Sequence, residues 1–132
     1  MKKKANKINN ESRCFMVVYK RCMREFFNLE SFRDLVPLIE NVDVSITIEE
    51  KIDNINILID EILKVFKKMD YLMHCAITMI NSLKGINLIR KLELRSKIKE
   101  TDKMMMCLFE FEKYSISQLE FLKDQLNIKV VE

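Results

Sequence analysis

IEEKIDNINILIDEILKVFKKMDYLMHCAITMINSL, residues 48–83, is the stretch of sequence that decides the fold. Its apolar residues recur at alternating spacings of four and three, the repeat that two packed helices bury between them. Thr47 and Glu50 form a capping box at its start, and Gly85 is a typical helix C-cap. We call the large apolar positions the seam; Ala76 shares their register. The seam consists of Ile48, Ile52, Ile55, Ile59, Ile62, Phe66, Met69, Met73, Ile80 and Leu83.

The length of this predicted helix leaves two arrangements open. At a rise of ~1.5 Å per residue, residues 48–83 span ~54 Å, whereas a compact domain of this size is only ~36 Å across. Either the helix breaks, with Asp70 as a new N-cap, or the chain forms an elongated antiparallel hairpin with Gly85 at its tip.

Weaker patterns precede the seam. Apolar residues at helical spacing predict a helix over residues 11–30, with Asn10 as its N-cap. Pro37 is expected to interrupt a short helical turn that begins near Ser31. Residues 42–47 alternate apolar and polar side chains, and we interpret them as an extended connector.

A second helical face follows Gly85. It runs from Leu94 to Leu126 but is interrupted by Thr101 and Ser115, so a helix break near residue 115 is open.

The composition agrees with helices joined by tight connections. With one Gly and one Pro in 132 residues, the chain lacks the turn residues that a strand-rich fold needs. We therefore expect an all-α, antiparallel helical bundle of three to five helices. The alternative is an elongated helical hairpin with a packed N-terminal helix. The expected division is a basic disordered tail (1–10), a single helical domain (11–127) and a frayed C-terminus (128–132).

Several features bear on where the protein works. Its apolar runs are shorter than the ~20 residues of a membrane span, and the basic start lacks the apolar core of a signal peptide. Cys14 and Cys22 would lie ~12 Å apart on one helix, too far to bridge. We expect free thiols and an intracellular, cytoplasmic protein. Abundant Lys, Ile, Asn and Met are typical of an AT-rich genome, which favours a viral or phage accessory protein.

The charges are segregated along the chain. Residues 1–24 hold eight basic groups and one acidic group. Residues 25–66 hold three basic and ten acidic groups, and residues 67–132 hold twelve basic and nine acidic groups. One interpretation is that the basic first helix packs against the acidic second helix. The other is a phosphate-binding arm, which needs only dispersed positive charge. Its candidate residues are Lys2, Lys3, Lys4, Lys7, Arg13, Lys20, Arg21 and Arg24.

No motif predicts chemistry. His74 is the only histidine, and although Cys75 follows it, adjacent helical residues point ~100° apart and chelate a metal poorly. We expect His74 to be partly buried at the edge of the seam. We therefore expect no catalytic residue, no metal, no cofactor and no small-molecule substrate.

The sequence thus favours a non-enzymatic helical protein–protein interaction module, a coiled-coil-like protein that binds a partner helix or itself as a homo-oligomer through apolar helix faces. The alternative is a nucleic-acid-binding accessory protein that uses the basic N-terminal arm.

Overall fold

The computed structural model describes residues 14–83 and 87–131, the last four of these in backbone only. Within these ranges the chain is helical apart from turns and contains no strand, which confirms the all-α bundle. The elements are α1 (Phe15–Met23), 3₁₀ turns at Arg24–Phe26 and Glu30–Phe32, α2 (Leu35–Asp43), α3 (Ile48–Ser82) and α4 (Leu88–Val131).

The two C-terminal helices are far longer than a compact domain is wide. Helix α3 has 35 residues and α4 has 44, so they are ~52 and ~66 Å long, against the ~36 Å diameter expected for a compact domain. Of the two arrangements left open, the elongated hairpin is the one that forms, and no new helix begins at Asp70. The capping box is confirmed, since the Glu50 N–H donates to Thr47 Oγ1 at 3.1 Å.

Helices α3 and α4 run antiparallel. Ile48, at the start of α3, lines a cleft together with Leu122 of α4. Met73, farther along α3, lines another cleft with Thr101 of α4. Later residues of α3 therefore lie beside earlier residues of α4, which is the antiparallel arrangement.

Helices α1 and α2 pack against one end of this hairpin. The main hydrophobic core reaches Met69 on α3 and Met104 on α4, and Leu94, although buried, lies outside it. The rest of the hairpin projects beyond that core. We call the covered part the base and the projecting part the arm. The base comprises residues 48–69 and 104–127, and the arm comprises residues 70–83 and 87–103.

Aromatic side chains fix α1 onto α4. The Phe15 ring packs edge-on against Tyr114, and the Tyr19 ring edge-on against Phe111, each with ring centroids 5.0 Å apart. Such pairs contribute beyond the area they bury. The buried Tyr19 hydroxyl donates to the Phe32 carbonyl at 3.3 Å, so its polar atom is satisfied.

The prediction of one helix over residues 11–30 is wrong beyond Met23. Arg24 adopts φ 57°, a left-handed conformation that ends α1 and that costs a non-glycine residue free energy. The chain then turns through a 3₁₀ segment in which Phe26 is buried. Tertiary burial of that ring overrides the helical pattern. The predicted cap at Asn10 lies outside the described residues.

The connection between α1 and α3 also differs from expectation. Pro37 does not interrupt a helix but occupies the first turn of α2, where backbone N–H groups need no intrahelical acceptor. Val42 is buried within α2, so the extended connector is limited to residues 44–47.

No break occurs near residue 115. The buried Ser115 hydroxyl donates to the Phe111 carbonyl one turn earlier, at 2.9 Å. This bond satisfies the polar group within the helix, and α4 continues to Val131.

A distant carboxylate caps the start of α1. Cys14 stands at the N-cap position without a side-chain capping bond. Asp43, at the end of α2, accepts the Phe15 N–H at 2.6 Å and the Met16 N–H at 3.0 Å. The carboxylate also complements the positive end of the α1 dipole. One side chain therefore joins the two short helices.

We expect Asp43→Ala to lower the free energy of unfolding by about 1–2 kcal/mol, because two backbone donors lose their acceptor. Urea denaturation followed by circular dichroism measures the change. Asp34→Ala is the control, since Asp34 stands at the N-cap of α2 without a capping bond. Equal effects of the two substitutions would contradict this role for Asp43.

Candidate functional site

The seam is largely covered within the chain. Ile52, Ile55, Ile62 and Met69 are buried. The remaining members are partly buried, and these are Ile48, Ile59, Phe66, Met73, Ile80 and Leu83. A partner therefore has to use apolar surface beside the seam.

Such surface exists in a groove between α3 and α4, where the base meets the arm. It has a volume of about 530 Å³, and every lining residue belongs to the hairpin. Of these, Leu63, Met106 and Phe109 are exposed although large and apolar. We call it the hairpin groove. Its lining residues are Leu63, Phe66, Lys67, Asp70, Met105, Met106, Phe109 and Glu112.

The hairpin groove lies on the side of α4 that faces away from α1. Phe111 packs against the rings of α1, and two positions along a helix point ~200° apart, so Phe109 points away from α1. Ile116 lies seven residues after Phe109 and shares its face; it is exposed as well. On α3, Ile77 continues the face of Leu63 at a spacing of fourteen residues.

A buried carboxyl group stands in this groove. Glu112 is only 9% exposed, and its Oε2 atom has no hydrogen-bond partner. Burial raises the pKa of Glu112 above its ordinary value of 4.5, because the charged form is poorly solvated there.

Sequence reasoning missed Phe109 and Glu112 on the α4 side of the groove. It followed one face of α4, which includes Leu108 and Phe111, and both are buried. The signal was nevertheless present. Met105, Phe109, Glu112 and Ile116 follow one another at spacings of four, three and four, so α4 has a second face with large apolar residues.

The structure describes three of the eight candidate phosphate-binding residues. Lys20, Arg21 and Arg24 are exposed at the end of α1. Lys20 Nζ lies 5.7 Å from the centroid of the Phe27 ring, a cation–π contact. The other members fall outside the described residues, and they are Lys2, Lys3, Lys4, Lys7 and Arg13.

The thiols and the histidine are dispersed. All four cysteines are unbridged, but only Cys107 is fully buried. Burial, followed by the nearby Glu110, raises the pKa of Cys22, which keeps its thiol protonated. His74 is exposed rather than partly buried, and its Nε2 atom lies 3.6 Å from Asp70 Oδ2. In the described part of the chain, no three His, Cys, Asp or Glu side chains are grouped to hold a metal ion.

We expect Glu112→Met to raise the free energy of unfolding at pH 7 by about 1 kcal/mol, because it removes an unpaired buried charge at similar volume. The folded state holds the Glu112 proton more tightly than the unfolded state. The wild type therefore gains stability as the pH falls from 7 towards 4.5, and its difference from the variant should shrink.

Urea denaturation across this pH range measures both effects, with the exposed Glu100→Met as control. The buried charge would be contradicted if the difference in free energy of unfolding between Glu112→Met and the wild type did not change with pH.

None of the described helices combines the length and apolarity needed to cross a bilayer. Comparison of the chain with protein-family models, curated proteins and solved structures gives no match. The residues of the hairpin groove are therefore the basis on which a function can be argued.

Proposed function

We propose that the protein is a non-enzymatic helical interaction module that binds a helix, from itself or from another protein, in the hairpin groove. The observation that carries this proposal is the cluster of exposed apolar side chains around a groove on one face of a long hairpin. Contiguous exposed apolar surface of this kind marks interaction sites in soluble proteins.

The groove has the dimensions and chemistry of a helix-binding site. It runs between two antiparallel helices, and its lining extends from Leu63 to Asp70 on α3 and from Met105 to Glu112 on α4, seven residues or ~10 Å on each. An amphipathic helix of about two turns matches that length and would place its apolar face in the groove. Asp70 and Lys67 among the lining residues offer charged contacts to the flanks of such a helix.

The exposed apolar side chains supply the binding free energy. Full burial of a Leu, Met or Phe side chain contributes ~1.5–3 kcal/mol. Covering the exposed halves of Leu63, Met106 and Phe109 would therefore contribute about 1 kcal/mol each.

An intracellular, cytoplasmic location is part of the proposal, and the unbridged cysteines support it. The composition, with Ala in only two positions, favours an accessory protein of a virus or phage.

We expect Phe109→Asp to abolish partner capture, because it places a charge at the centre of the apolar surface. Phe121→Asp is the matched control: Phe121 is 55% exposed on the same helix, Phe109 is 49% exposed, and Phe121 lines a different cleft. Affinity capture from the native host, compared across wild type and both variants, measures the effect.

The proposal is supported by partners that bind both the wild type and Phe121→Asp but whose affinity for Phe109→Asp is lower by more than about tenfold. An unchanged partner set in Phe109→Asp contradicts it, and so does a strict monomer that captures nothing.

Nucleic-acid binding is the second candidate, and the exposure of Lys20, Arg21 and Arg24 favours it. It predicts that affinity for DNA or RNA oligonucleotides falls steeply between about 50 and 200 mM salt, and falls further when residues 1–10 are removed. Fluorescence anisotropy with Arg21→Glu, and with Lys123→Glu as control, measures this. Binding that does not depend on salt contradicts it.

A further inference from the structure

We propose that the helix bound by the hairpin groove belongs to a second copy of this chain, docked so that the two α4 helices run antiparallel across a two-fold axis near Phe109. This inference rests on the proposed function and names its partner. The charges that α4 carries on the face of the groove support this pairing.

Helix α4 is positive at one end and negative at the other. In the arm, residues 87–103 hold six basic and three acidic groups. In the rest of the helix, residues 104–131 hold four acidic and three basic groups, and one of the acids, Glu112, is buried. Two copies that lie antiparallel place the positive part of each α4 on the negative part of the other. Two parallel copies place like charges together, which is destabilising.

Arg95, Lys99, Glu120 and Asp124 are positioned for this arrangement, whereas Asp102 and Lys113 lie on the same face with the opposite signs. Arg95 and Lys99 lie eleven and seven residues before Met106, which lines the groove, so all three share one face of α4. Glu120 and Asp124 lie eleven and fifteen residues after Phe109, and fall near the same face.

The positive and negative positions are evenly disposed about Phe109. Lys99 lies ten residues before Phe109, which is ~15 Å along the helix, and Glu120 lies eleven residues after it, which is ~16 Å. Arg95 lies fourteen residues before Phe109, at ~21 Å, and Asp124 lies fifteen residues after it, at ~22 Å. A two-fold axis between Phe109 and Glu110 therefore brings Lys99 opposite the partner subunit's Glu120, and Arg95 opposite the partner subunit's Asp124.

These four side chains are available for such contacts. All are exposed, and none belongs to an ion pair within the described chain. Near the axis, Phe109, Met106 and Ile116 are exposed and apolar. The arrangement thus places these apolar side chains at its centre, together with the exposed Glu110 and Lys113, and complementary charges on its flanks.

The test is a charge exchange on the full-length chain. One variant carries Arg95→Glu and Lys99→Glu, a second carries Glu120→Lys and Asp124→Lys, and a third carries all four substitutions. Sedimentation equilibrium at low salt gives the dimer dissociation constant of each. Circular dichroism verifies the fold, which these exposed substitutions leave intact.

We expect each double variant to weaken the dimer by about tenfold or more, and the fourfold variant to return within about threefold of the wild type. Phe109→Asp should abolish the dimer, while Phe121→Asp leaves it unchanged. Higher salt should weaken the wild-type dimer, because it screens the charge pairs.

Three results would overturn the inference. The first is a wild-type chain that stays monomeric. The second is a dimer whose dissociation constant is unchanged or lowered by the double substitutions. The third is a fourfold variant that dimerises as weakly as the double variants. A monomer that still captures another protein through Phe109 would leave the proposed function standing and remove only the self-association.

Discussion

The pairing of α3 with α4 is the constraint on which the rest of the structure depends. Both helices are longer than a domain of this mass is wide, so neither can be enclosed by the remaining chain. Helices α1 and α2 have nine residues each and cover one end of the hairpin. The arm and one side of the base are left with apolar side chains that no other element contacts. The surface available for binding is a direct result of this mismatch in length.

Two interactions determine where the short helices lie. The aromatic contacts of Phe15 and Tyr19 hold α1 against α4, and Asp43 supplies the capping group that the start of α1 lacks. Burial raises the pKa of Tyr114 to about 12, with a smaller contribution from the negative charge of Asp43. The cap and the aromatic cluster are thus neighbours, and together they place α1 and α2 on one side of the hairpin. The opposite side, with Phe109 and Glu112, stays open.

Among the described residues, Glu112 holds the one buried side-chain oxygen that has no hydrogen-bond partner. A buried carboxyl oxygen without a partner is unfavourable for the folded monomer. It stands among groove residues that are otherwise mostly apolar. Functional or strained sites are where real proteins break such packing rules.

The sequence by itself determined the all-α class, the start of α3 and the face that α3 buries. The unbroken seam, the Thr47–Glu50 cap and the scarcity of turn residues come from local periodicity and backbone chemistry, which neighbouring residues carry. Only the tertiary structure decided that α3 stays whole, that Arg24 ends α1, and that Asp43 caps a helix 28 residues away in sequence. It also decided which apolar face of α4 remains open. Helical spacing shows that Phe109 and Phe111 point apart. Which of the two is covered depends on where α1 packs, and that packing is a long-range contact that no local sequence pattern predicts.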